Sequence, residues 1–252
     1  MLKSKPLLLS LSLVSSFAFA GDPYRASDSV LSTFENFPDT AWQSVTTSII
    51  DSVYVLKSDV RATVASWDTS TVHEKLGYLY PSNTAPGKRS LLSVNYERVD
   101  EPAAGFRNQC VAFGKAMTGA GSTSSWVKGT ALTVLYPNQR APSQLEAMAK
   151  LPPGTMLANF NGATQYPNTE YSHIVIVRGV NADTTGKVLS VDVYSQNGIS
   201  KAVLFGNTVS LGDPETFNPK GGTIMKYTIP WSNTNSTKGS FSIKNYNIVN
   251  KP

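Results

Sequence analysis

Apolar residues are spaced differently in the two halves of the chain. Between Ser27 and about Tyr80, Trp42, Val45, Ile49, Val53, Leu56, Val60, Val64 and Trp67 recur every three or four positions. That stripe has the 3.6-residue period of an amphipathic helix, and Asp39 after Pro38 is a start signal for it. The spacing predicts a helical N-terminal region over residues 21–80, its stripe packed against the C-terminal domain. Pro81–Ser90 (PSNTAPGKRS) is polar, holds two prolines and a glycine, and places a linker over 81–95.

Beyond the linker the period shortens. β-rich runs appear at Thr130–Tyr136, Thr155–Phe160, His173–Val180, Val188–Tyr194, Ala202–Phe205, Thr223–Ile229 and Phe241–Val249, each bounded by Gly, Pro, Asn or Asp. Two helical segments interrupt them, at Cys110–Met117 and Ser143–Leu151. A helix followed by mostly consecutive strands predicts an α+β domain with an antiparallel sheet over residues 96–252.

The first twenty residues set an expectation about compartment. Lys3 and Lys5 precede a short apolar run that closes on Ala18-Phe19-Ala20. This is the layout of a secretory signal peptide with cleavage after Ala20, too short to serve as an anchor. The mature chain would hold 252 − 20 = 232 residues, and losing two lysines lowers its formal charge from +5 to +3. So weak a positive charge does not predict a nucleic-acid partner. A periplasmic or secreted destination, with no stable membrane anchor, is expected.

Export changes the meaning of the single cysteine, Cys110. A lone thiol in an oxidising compartment has no internal disulfide partner and is open to oxidation. Most single cysteines are small buried hydrophobes. Here, however, Asn108 is a helix N-cap candidate, so Cys110 falls in the first turn of its helix. Unsatisfied N–H groups and the positive end of the dipole favour a thiolate there. Those amides, with Gln109 beside them, form a candidate oxyanion site.

A nucleophilic thiol needs a base, and the chain has only two histidines. His73 lies beside Glu74 and Lys75 on a solvated face. His173 opens the apolar run Ile174-Val175-Ile176-Val177. If 173–180 and 187–194 form a hairpin, Val180 sits near Lys187 and His173 falls opposite Tyr194 or Ser195. One register brings Asp192, Tyr194 and Gln196 to the imidazole's face, and the other brings Ser195 and Asn197. Either supplies a polar group to orient the ring.

Gln-Cys-Val heading a helix, then Ser-His-Ile-Val-Ile-Val, then Ser195-Gln196-Asn197-Gly198 resembles the CHAP family, the cysteine, histidine-dependent amidohydrolases/peptidases. Similar segments occur in a group of exported bacterial amidases. Pro152-Pro153-Gly154-Thr155 before a strand and Trp126 after the cysteine helix fit the same pattern, over roughly residues 100–250. The resemblance implies a papain-like fold, Cys110 as nucleophile, His173 as general base and then acid, and Asn197 as orienter. It also implies an amide substrate in peptidoglycan or another peptide, and leaves room for a proteinaceous inhibitor or immunity partner. Ser195 stands where the family often has an acid, with Asp192 as alternative orienter, and Ser172 stands where it commonly has Gly. A catalytically weak binding module and a secreted effector acting on a protein target are the competing readings. No metal-ligand spacing and no cofactor motif is present in the sequence, so neither is expected.

Overall fold

The computed structural model describes residues 21–45, 53–56, 110–167, 172–196, 224–235 and 239–252. The signal segment, the linker, His73, Gln109, Asn197 and the strand expected at Ala202–Phe205 lie outside the described residues. The fold is α+β. Eight antiparallel strands form one sheet in the order β1-β2-β7-β6-β5-β4-β8-β3. These are β1 (Trp42–Val45), β2 (Val53–Leu56), β3 (Val127–Ala131), β4 (Met156–Asn159), β5 (His173–Ala182), β6 (Val188–Gln196), β7 (Ile224–Pro230) and β8 (Asn247–Asn250). The helices are α1 (Asp28–Glu35), α2 (Cys110–Thr118), α3 (Leu132–Leu135) and α4 (Gln144–Lys150).

The sheet is covered on both sides, which explains why β5 is apolar without a break. Ile174 and Ile176 pack with Cys110, Val111, Phe113 and Met117 of α2 and with Phe34 of α1. The alternate residues Val175 and Val177 pack on the other side with Leu132, Tyr136, Ala147 and Leu151. Helix α2 lies close on the first face because of Gly114. A Cβ there would meet the Ile174 side chain at 2.9 Å and the Met156 sulfur at 3.1 Å.

Two expectations are corrected. Among its described residues the N-terminal region is helical at Asp28–Glu35, where Ser27 caps α1 by accepting from the Val30 N–H. Trp42–Val45 and Val53–Leu56 are instead two antiparallel strands, with Trp42 opposite Leu56 and Val45 opposite Val53. The reason is tertiary. Strand β7 offers an open edge, and β2 fills it through Tyr54↔Lys226 and Val55↔Met225, so a Val- and Thr-rich segment follows the edge rather than its weak helical preference. Phe34 of α1 meets Phe113 at 6.0 Å and Tyr194 at 5.3 Å, so this segment shares the sheet's own core. Second, the run expected as a strand at Thr130–Tyr136 leaves the sheet after Ala131. Leu132 and Tyr136, four apart and fully buried, then face one side of α3.

Candidate functional site

Cys110 is the first described residue of α2, and Asn108, the expected cap, lies outside the described residues. Its sulfur is bonded by the backbone of Ile174 and the side chain of Tyr166, and it takes further backbone contacts from Val111 and from its own residue. These contacts draw toward thiolate, as a helix start should. Burial opposes them and prevails. Cys110 is only 9% exposed, and loss of water pushes its thiol above the ordinary cysteine range.

His173 is the first residue of β5 and is buried. The Nε2 atom lies 2.7 Å from the Ser195 hydroxyl and 3.1 Å from the Tyr227 hydroxyl. Ser195 donates to the carbonyl of Ile174 at 3.1 Å, and Tyr227 is hydrogen-bonded to Ser195. A serine has one proton to give. When it goes to Ile174, the Ser195 oxygen accepts from Nε2–H and from Tyr227, and every member of the triangle is satisfied. The ring is then a neutral Nε2–H tautomer with its lone pair on Nδ1. Burial among uncharged hydroxyls accounts for the charge state, pulling the imidazolium pKa down to about 3.

The structure therefore brings Ser195 onto His173, and it does so through a hairpin longer than simple counting predicts. Asp183 accepts from the Thr185 N–H, the Thr185 hydroxyl and the Lys187 N–H, which tightens the turn and lets β5 run on to Ala182. Val180 pairs with Val191 rather than sitting near Lys187, and Tyr194 pairs with Ile176 rather than His173. The face assignment is the one that carries Ser195. Asp192 is not brought to the ring; it accepts from the Thr228 hydroxyl at 2.6 Å.

Cys110 and His173 approach the start of β5 from different sides. Helix α2 lies over the Ile174 face, whereas the imidazole shares the opposite face with Ser195 and Tyr227. Ile174 joins the two, its backbone bonded to the sulfur and its carbonyl receiving Ser195.

Two tyrosines of this corner have no signal in the sequence. Tyr166, hydrogen-bonded to both Cys110 and Ser172, sits in a loop whose path follows no period. Tyr227 sits on an expected strand, but nothing local in the chain tells which strand lies beside β6. Among the described residues there is no cluster of three or more His, Cys, Asp or Glu able to hold a metal ion. None of the described helices is long and apolar enough to cross a membrane. Compared with known proteins, the chain matches no protein-family model, no curated protein and no solved structure.

Proposed function

We propose that this chain is an exported cysteine hydrolase of amide bonds, with a papain-like division of labour between Cys110 and His173 and with peptidoglycan peptides as substrate. The observation that carries this reading is the Ser195–His173 contact of 2.7 Å. It occupies Nε2 and leaves the lone pair of Nδ1 for the proton of a thiol. In the reaction the Cys110 sulfur bonds to the amide carbon and its proton passes to Nδ1, a transfer that requires thiol and imidazole to meet past the start of β5, because α2 and the ring lie on different sides of that strand. The same proton then goes to the leaving amine as the C–N bond breaks, and water hydrolyses the thioester. The resting pair is neutral thiol and neutral imidazole, because burial works against both charges. The order of Cys110, His173 and Ser195-Gln196-Asn197, together with the signal-like N-terminus, supports the substrate class.

Digestion of purified sacculi, with released fragments identified by mass spectrometry, tests the proposal. Wild type is expected to release muropeptides, and Cys110→Ala none above background. Equal release by both variants, or none by either, overturns it. A resting neutral thiol also predicts that iodoacetamide labels Cys110 with a midpoint above that of a free thiol, about 8.5.

Two observations favour a second reading, that of a wall-binding module with little catalysis. The thiol is buried, and no acid stands at position 195 to stabilise an imidazolium. On that reading Cys110→Ala sediments with sacculi as wild type does, and neither protein releases fragments.

A further inference from the structure

A second concave site lies on the α1 side of the sheet, bordered by Asp39 and by Tyr227, the tyrosine bonded to His173. It is a cavity of about 450 Å³ whose lining includes Trp42, Tyr54, Arg178, Asp192, Lys226 and Thr228. Its charges are distributed unequally. Arg178 is already committed, gripping Glu35 through two contacts of 2.9 and 3.2 Å. Lys226 is not. Its side chain is only 16% exposed, and its ion-pair contact is a long 3.9 Å to Asp39, whose own side chain is fully in water. Instead the ammonium rests over two aromatic rings, 4.6 Å from Trp42 and 5.4 Å from Tyr54. Burial and the positive charge of Arg178 push its pKa down, and the carboxylates of Asp39 and Glu35 offset this only in part.

Asp192 supplies the opposite sign without cancelling Lys226. On the β6–β7 ladder Asp192 faces Thr228 and Tyr194 faces Lys226, which makes Asp192 and Lys226 diagonal neighbours on one face. Such diagonal positions are roughly 7–8 Å apart, and no ion pair joins these two among the described residues. One carboxylate oxygen accepts from Thr228, and no described residue engages the other. A cation and an anion thus flank an aromatic-walled space from diagonal positions on one face of the sheet.

We propose that this cavity binds a small zwitterion of the α-amino-acid class, its carboxylate on Lys226, its ammonium on Asp192, and its side chain against Trp42 and Tyr54. The site shares no charged group with Cys110 and His173 and stands whether or not the chain is a hydrolase.

Isothermal titration of the full chain with phenylalanine, N-acetylphenylalanine and phenylalaninamide tests it, because the two derivatives each remove one charge. Phenylalanine is expected to bind saturably, and each blocked form about tenfold or more weakly, the scale of one lost charge-assisted hydrogen bond. Lys226→Met should erase the difference between phenylalanine and its amide, and Asp192→Asn the difference between phenylalanine and its N-acetyl form. In unmutated protein, phenylalanine should slow trinitrobenzenesulfonate modification of Lys226, located by mass spectrometry, and phenylalaninamide should not. Equal binding of all three compounds, absence of saturable binding, or unprotected Lys226 each overturns the proposal.

Discussion

His173 and Glu35 are each held by a tyrosine hydroxyl, from neighbouring strands, yet the protein treats them in opposite ways. At His173 the partners are Tyr227 and Ser195, both uncharged, and the ring is buried. Its charged form has neither water nor a counterion, so the imidazole stays neutral down to about pH 3. At Glu35 burial also disfavours the charge, but it is partial. The hydrogen bonds from Arg178 and from Tyr194 at 2.7 Å, with the charge of Arg178, outweigh it and hold the carboxyl below its usual range. A hydroxyl orients a titratable group, whereas a counter-charge and some water decide whether it is ionised.

The contrast is most sharply tested by acid. His173 has a folded pKa below its unfolded value near 6.5, so the unfolded chain binds a proton that the folded chain refuses. Stability is unaffected above about pH 6.5 and falls as the pH drops from there toward 3, at up to ~1.4 kcal/mol per pH unit. Urea unfolding at a series of pH values should show this slope in wild type and lose it in His173→Gln. A slope unchanged by that substitution would mean that the ring is charged or solvated in the folded state.

Removing the orienter costs less. Ser195→Ala strips Nε2 of its shorter bond and leaves Tyr227 with one partner fewer, at about 1–3 kcal/mol for a buried unsatisfied group. Equilibrium unfolding at pH 7.5 measures it, and any Cys110-dependent hydrolysis should fall with it. The smallest effect belongs to the solvated pair. Arg178→Met breaks the contact to Glu35, whose side chain is 46% exposed, so the loss is about 1 kcal/mol or less and shrinks in high salt. A salt-independent loss would instead assign Arg178's contribution to its packing over Tyr194, 4.9 Å from the ring centre.

Much of the site is legible from local pattern because its causes are local. The helix that begins at Cys110 stops at Thr118 because Gly119 takes a positive φ just past its end. Ser195 reaches the face of His173 because strands alternate and Asp183 closes a tight turn, although the residue-by-residue register departs from simple counting. The pairing of Trp42–Val45 with Val53–Leu56 was not legible. Spacings of three and four residues suit a helix and also suit two short strands separated by a connection, and only the open edge of β7 decides between them.

The amino-acid sequence by itself determined the α+β class, the run of strands from β4 through β6, the helical start at Cys110 and the pairing of a polar residue with His173. Those features depend on periodicity, capping and turn chemistry, which act over a few residues. Tertiary structure alone decided that Tyr227 and Tyr166 join the corner, that α2 and the imidazole occupy different faces of β5, and that both the thiol and the ring are neutral. Strand order, burial and the resulting electrostatics depend on segments more than fifty residues apart in the chain, such as His173 and Tyr227 at a separation of 54. No short-range pattern encodes that distance.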